Sequence, residues 1–246
     1  DALQLPGLKP ERRAVLGGGL AILMTLLTQF EIEALHPAKG ALRQGVIFDL
    51  DERLDAARAP GGADLRDTTV LELQQRFGVD TQQAERVRDT ALALHAQVQP
   101  GAGHEVRHEL AWAAALHEIG MMVSHHDHHR HGAYLITHAD AAGFSQNQQQ
   151  RLGELLLGQR GGLRKIEAML SDPACAWQLM CLRLAVLLCH GRSAVPAELV
   201  QLSCSGRNAV LTLDPTWAEA HPRALHLLRE ETQSWPKVSS LRLLLG

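Results

Sequence analysis

Residues 112–144, WAAALHEIGMMVSHHDHHRHGAYLITHADAAGF, carry seven of the chain's fourteen histidines. His117 is followed directly by Glu118, and His125, His126, His128, His129 and His131 surround Asp127 and Arg130 a few residues on. Imidazole and carboxylate are ligands a catalytic divalent ion takes, three or four of them converging with one position left open for water. The chemistry on offer is metal-assisted hydrolysis, and the ligand set to test is His117, Glu118, His125 and His126. The competing reading of the histidine run is a polar, partly solvated loop that picks up nickel or zinc opportunistically. A second set is cationic. Arg160, Arg164 and Lys165 follow Gly158 in GQRGGLRK, where glycines let a polyanion approach the backbone and a guanidinium forks onto phosphate oxygens. A solvated helix end explains the same residues.

A histidine followed by an acid, late in a helix of an all-helical domain, is similar to the mark of the HD metal-phosphohydrolases. There one His from an earlier helix, the adjacent pair and an Asp from a later helix hold the ion. The pair here is His117-Glu118, with a longer carboxylate than usual. The earlier ligand position, four residues before the valine of Arg86-Val87, is Gln83, a poor ligand. The later one follows Leu184-Ala185 and is Val186, which coordinates nothing. A working metal centre of this kind is not expected, and His117 and Glu118 read instead as a buried hydrogen-bonded pair.

These residues must be positioned by helices, and the punctuation for helices is good. Residues 67–77 end at Gly78, a suitable C′ residue. Asp80 caps a helix with Gln83 three places on, its apolar seam being Val87, Ala91, Leu94 and Val98, with His95 beside that seam. The next helix carries Trp112, Leu116, Ile119 and Val123 as one buried stripe. Ser145 and Gln148 form a capping box for a helix ending near Gly158, and Tyr134 is expected to pack. Asp172-Pro173 supplies cap and first-turn proline for a helix with Trp177, Cys181, Leu184 and Leu188 on one stripe. Beyond residue 203, NAVLTLDP and SSLRLLLG read as strands flanking a helix over 215–234.

The first 50 residues read differently. They give a Gly-rich turn at Gly17, Gly18 and Gly19, a helix from about 19 to 30, a short strand near Glu31–Leu35 and another short helix. At such a turn, backbone N–H groups and the helix dipole can face a phosphate. The lone strand lacks a ladder partner, so the segment looks like the tail of an α/β domain. The expected organisation is a remnant of that domain over 1–50, a linker over 51–66, a helical domain over 67–202 and a small α+β element over 203–246. The fold class is mainly α.

Composition sets the outer limits. With 246 residues, 46% apolar and only one Tyr and four Phe, the chain favours helices over a sandwich or barrel. A net charge of -3 supplies no global field for a polyanion, so any such ligand needs a local basic patch, and nucleic acid is not expected as a partner. Cys175, Cys181, Cys189 and Cys204 form no CxxC pair, and the three in or beside one helical run read as buried thiols of a reducing cytosol. The most apolar window, residues 14–27, is too short and too glycine-broken for a bilayer span and lacks a signal peptide's pattern. The expectation is a soluble, cytoplasmic protein with no membrane partner.

The ordered motifs LHEIG, HHRHGAYLITHADAAGFSQNQQQRL, GQRGGLRK and LRLAVLL resemble the C-terminal domain of the exopolyphosphatase / guanosine pentaphosphate phosphohydrolase family. LPGLKPERRAVLGGGLAIL and GALRQGVIFDL resemble the end of that family's preceding actin-like (ribonuclease H-like) domain, so the resemblance covers essentially the whole chain. It implies two actin-like lobes that bind phosphate in glycine-rich loops, hold Mg²⁺ and use a Glu to activate water. The water attacks the terminal phosphate of polyphosphate or guanosine pentaphosphate. A metal-free, degenerate HD-like helical domain packs behind the lobes, helps hold the polyanion, and the whole is commonly a homodimer. The phosphate loops and catalytic Glu have no counterpart in residues 1–246, so this stretch is expected to be inactive alone and to need no cofactor itself. Residues expected to face phosphate are Gly17, Gly18, Gly19, Arg130, His131, Arg160, Arg164 and Lys165. A metal-dependent hydrolase built on the histidine run and a non-catalytic regulatory module are the alternatives. Departures from the family pattern are the extra His125, His126, His128 and His129, Gly132 for a usual Ser, and Gln159 where a His often precedes the Arg.

Overall fold

The computed structural model describes residue 11 and residues 13–35, 46–47 and 64–246. The chain divides into two compact units, Asp1–Glu52 and Arg53–Gly246. In the first, α1 spans Arg13–Gln29. Gly17, Gly18 and Gly19 therefore lie inside a helix rather than at a turn before one, and none has a positive φ. Three glycines cost a helix about 1 kcal/mol each relative to alanine, but the Leu- and Ala-rich flanks carry the helix through them. The strand expected near Glu31–Leu35 is also corrected: residues 32–35 have no regular structure, as befits a strand with nothing to pair with. Val46 and Ile47 are helical; the rest of the short helix expected there, and the linker up to residue 63, lie outside the described residues.

The second unit is a helical bundle with a small sheet. Helix α2 (Leu65–Arg76) is capped by Asp64, whose carboxylate accepts from the Arg66 amide at 2.9 Å, and is closed by Gly78 at φ 61°. Helix α3 (Thr81–Val98) starts at the Asp80 cap and buries Val87, Ala91, Leu94 and Val98. Helix α4 (His104–Ala115) stops at Leu116, before a tight turn and a short 3₁₀ segment, Ile119–Met122. The stripe expected from Trp112 to Val123 is thus broken: Trp112, Leu116 and Ile119 are buried but Val123 is exposed. Gly120 explains the break, because it brings the 3₁₀ segment against the backbone of the next helix at His128 and Gly132, an approach closed to a continuing helix with side chains.

Helix α5 (His128–His138) packs on α6 (Gln146–Gly158), which opens with the Ser145–Gln148 capping box. Tyr134, on α5, does not join the core; it is 65% exposed and stacks on His138 at 4.3 Å. Helix α7 (Pro173–Leu188) is the hub, touching α3, α4, α6 and the C-terminal helix. Its burial is all round rather than a stripe, covering every residue from Cys175 to Ala185. Among the cysteines, Cys175, Cys181 and Cys189 are buried thiols, while Cys204 is exposed.

A three-stranded sheet closes the unit: β1 (Val200–Ser205), β2 (Asn208–Leu213) and β3 (Arg242–Leu245). β1 and β2 form a hairpin in which Val200 faces Leu213 and Ser205 faces Asn208, turned at Gly206 with φ 60°. β3 pairs parallel to β2, which demands a crossover; α8 (Pro215–Ala220) and α9 (Pro222–Thr232) supply it. The single helix expected over 215–234 is therefore two, split at His221 because Pro222 cannot continue the ladder of the preceding turn. β1 begins before residue 203 and docks on α3, the Gln97 side-chain Oε1 accepting from the Leu202 amide at 2.6 Å, so the sheet belongs to the bundle's own core.

Candidate functional site

One cavity of about 520 Å³ collects residues from most of the bundle. Gln83 comes from α3, His117 and Glu118 from the turn after α4, Gln159 and Arg160 from the end of α6, Arg183 and Val186 from α7, Arg192 from the loop beyond it, and Arg223 from α9. All four positions at which an HD-type centre would place its ligands, Gln83, His117, Glu118 and Val186, line this one space. The four positions share one space, but their side chains are not those of a metal centre.

Each position is spoken for. The Gln83 amide donates to the Cys189 carbonyl at 2.9 Å, and its oxygen accepts from Arg86 Nε at 3.0 Å. His117 Nδ1 lies 2.7 Å from the Ala114 carbonyl, where only a donor fits, so the free nitrogen is Nε2. That nitrogen sits 3.9 Å from Glu118 Oε1, too far for a hydrogen bond, so the expected His117–Glu118 hydrogen-bonded pair is not formed. Glu118 instead accepts a fork from Arg192, Nη2 to Oε1 at 2.8 Å and Nη1 to Oε2 at 2.9 Å. Arg192 Nη1 also reaches Asp80 Oδ2 at 2.9 Å. A guanidinium therefore supplies the positive charge that a cation would have brought to this carboxylate. With Val186 contributing a methyl-bearing wall, the residues present do not fit a divalent metal.

The alternative ligand set fails on placement. His125 and His126 are exposed ahead of α5, whereas His128 and His129 are buried within it, so the run is not one loop. Consecutive residues of a helix point about 100° apart, which scatters a run of histidines instead of gathering it. Among the described residues no group of three or more His, Cys, Asp or Glu is arranged to hold a metal ion.

Burial acts on these imidazoles strongly. It pushes the His117 pKa below its ordinary value against the opposing pull of Glu118, and pushes His128 down as well. His129 falls to about 4, through burial and then the Lys165 ammonium. A histidine held neutral in the fold but free to protonate in the unfolded chain contributes its full share above the ordinary pKa near 6.5. That share is lost as pH falls from there toward the folded value. Each such proton costs about 1.4 kcal/mol per pH unit at most. Replacing His129 by Gln is expected to remove about 1 kcal/mol of the stability lost between roughly pH 6.5 and pH 5.5. Urea midpoints of the two proteins at both pH values check this; parallel losses would sink it.

The cationic residues separate into two groups. Arg160 lines the cavity, and its carbonyl accepts from Lys165 Nζ at 2.7 Å. Lys165 is half-buried, its pKa lowered to about 8 by burial and by the Arg183 and Arg130 guanidiniums. Arg130 is exposed, with Nη1 3.7 Å from Asp127 Oδ2, and Arg164 is exposed too; neither lines the cavity, nor does His131. Gly17, Gly18 and Gly19 offer a phosphate no free backbone donors of a turn, because N–H groups inside α1 are taken by the helix itself. Sequence reasoning missed Arg183, Arg192, His190 and Arg223. One signal was present: Gln178 and Arg183 are the polar residues in the middle of the otherwise apolar AWQLMCLRLAVLL, and a buried helix keeps a charge only for a partner.

Comparison with known proteins agrees with this architecture. Residues 65–232 match the family pattern "Ppx/GppA phosphatase, domain III", and residues 1–54 match "Ppx/GppA phosphatase family". The chain is 34% identical over 251 residues to a guanosine-5'-triphosphate,3'-diphosphate pyrophosphatase of Photobacterium profundum, covering 97% of this chain and 48% of the relative. A protein of the same name from Aeromonas hydrophila is 34% identical over 96% of this chain and 49% of its own length. One from Pseudoalteromonas translucida is 31% identical over 96% and 48%. The chain thus spans about half the length of the curated relatives it matches. With a helical unit of the matching kind and two adjoining family patterns in order, the chain belongs to the Ppx/GppA phosphatase family.

Proposed function

We propose that this chain is the C-terminal part of a cytoplasmic phosphoanhydride hydrolase that releases the terminal phosphate of guanosine pentaphosphate or polyphosphate. In this reading the helical unit binds polyanion and supports a homodimer, while the catalytic Glu and the Mg²⁺ of the reaction belong to lobes outside these 246 residues. The observation that carries it is the state of Glu118. The carboxylate best placed to act as a base or ligand is forked by Arg192, and its His117 neighbour is turned to the Ala114 carbonyl. That state supports assigning hydrolysis of the kind named for the relatives to other residues, as does the sequence, which holds no Asp-x-Gly-Ser/Thr loop or Gly-Gly-Gly-Ser/Thr loop. Cationic Arg130, Arg164 and Lys165 suit a phosphate chain, whose attraction to exposed guanidiniums is screened by salt.

Titration of the chain with long polyphosphate at about 25 mM and about 250 mM salt tests the binding role, since the screening length shrinks roughly threefold between them. Affinity is expected to fall about tenfold or more on raising the salt, and again in Arg130→Ala/Arg164→Ala. No binding at low salt would remove polyanion contact from the reading. Release of phosphate from guanosine pentaphosphate by the chain alone would place catalysis within it.

A further inference from the structure

The cavity lined by Gln83, His117, Glu118 and Val186 also carries four arginines, and four observations say what it can take. Its inward acids are neutralised: Glu118 by Arg192 and Glu231 by Arg183, each through a two-pronged fork. Glu230, exposed at the rim, lies 3.6 Å from His226. Arg160 and Arg223 also line the cavity and have no acidic partner among the described residues.

Arg160, Arg192 and Arg223 act together on one point. Besides its partial burial, the guanidiniums of Arg223, Arg160 and Arg192 hold the His190 imidazole below its ordinary pKa, with no carboxylate acting the other way. Arg192 is already balanced by Glu118 and Asp80, so the uncompensated positive potential is that of Arg160 and Arg223, and in a concave, partly desolvated space an anion lowers it by binding.

A buried polar atom is left over as well. Gln159 is 3% exposed and lines the cavity; its Nε2 donates to the His117 carbonyl at 2.6 Å. Its Oε1 is buried with no partner among the described residues. An acceptor left so is unfavourable, and a ligand hydroxyl or N–H that reached it would relieve it. Finally, the wall is not all charge. Val186, Leu187 and Leu227 give the cavity an apolar side, and its volume lies within the range of small-molecule sites.

We propose that this cavity binds a phosphate dianion, carried free or on a small organic group, through Arg160, Arg192 and Arg223, with Gln159 accepting from the ligand. Arginine is the residue for the task because its planar fork meets two phosphate oxygens at once and stays charged at every working pH. Arg192 is already fixed by Glu118 and Asp80, so it is held in place before the ligand arrives, whereas Arg160 and Arg223 close from the α6 and α9 sides. The proposal stands on the helical unit's own residues and does not depend on where hydrolysis occurs in the longer protein.

The test is calorimetric titration of this chain with inorganic phosphate and, separately, with guanosine 5'-monophosphate, at about 25 mM salt. Expected is saturable one-site binding by at least one of them, weakened about tenfold or more in Arg223→Ala and in Arg160→Ala. Both side chains belong to exposed residues, so these variants keep the fold, and an unchanged melting temperature without ligand verifies that. Inorganic phosphate binding as well as the monophosphate identifies the free anion as sufficient; preference for the monophosphate assigns the apolar wall and Gln159 to the organic group. Arg164→Ala, outside the cavity, leaves this binding unchanged even where it weakens long polyphosphate, so the two roles fail separately. No binding of either probe, or binding that Arg160→Ala and Arg223→Ala leave intact, overturns the proposal.

Discussion

Replacing Arg183 by Met is expected to cost the helical unit about 3–5 kcal/mol, although methionine matches much of the volume and suits a buried helix. Arg183 donates from Nε and Nη2 to the two oxygens of Glu231 at 2.6 and 2.5 Å, and from Nη1 to the carbonyls of Gly158 at 2.6 Å and Gly161 at 3.1 Å. Glu231 Oε1 also accepts from Trp235 Nε1 at 2.7 Å. Both charged side chains are about 6% exposed, so water cannot take over the lost contacts. Removing the arginine alone leaves a buried carboxylate and two carbonyls without their strongest donor. The pair itself need not be worth that much: a buried ion pair costs desolvation on both sides, and an apolar pair of similar shape can replace it. Arg183→Met/Glu231→Leu is therefore expected to recover most of what Arg183→Met loses. Urea denaturation of the single and double variants measures both numbers. A single-variant loss under about 1 kcal/mol would show that this network does not hold α9 and the Gly158–Gly161 loop to the hub helix.

That network also marks the limit of what the sequence discloses. Asp80, Ser145 with Gln148, and Asp172-Pro173 were legible because a cap acts within one helical turn, and all three caps form as their spacing predicts. The seam of α3 was legible because burial there follows the helical period. Gln83, His117, Glu118 and Val186 could be placed together only by likeness to a known arrangement, and they do line one cavity. What fills the cavity was not legible. Arg192 lies 74 residues from Glu118, and Arg183 lies 48 from Glu231; no local pattern ties such partners. The glycine run at Gly17–Gly19 misled for a related reason, since glycine permits a turn without requiring one and the flanking residues decide. Likewise the histidine run reads as a single polar loop, and a helix start at His128 divides it.

Gly120 in LHEIG carries the other large effect. An alanine Cβ there would run into the backbone carbonyl of His128 and the amide nitrogen of Gly132, neither of which is the movable end of a side chain. Relief requires the Ile119–Met122 segment and α5 to separate, and in a close-packed interior such a shift loses contacts along the whole seam. Gly120→Ala is expected to cost about 3 kcal/mol or more, at or beyond the upper end of ordinary overpacking, because two backbones and not two side chains collide. The displaced segment adjoins His117 and Glu118, so the fork from Arg192 to Glu118 should loosen with it, and with that the cavity wall. Gly101→Ala is the control: a Cβ there meets nothing, and the variant should unfold within about 0.5 kcal/mol of the parent. Melting curves of the two variants decide the matter. If Gly120→Ala melts with Gly101→Ala, the backbones at Gly120 and Gly132 are not in contact, and the turn that aims His117 and Glu118 into the cavity must be held by something other than that approach.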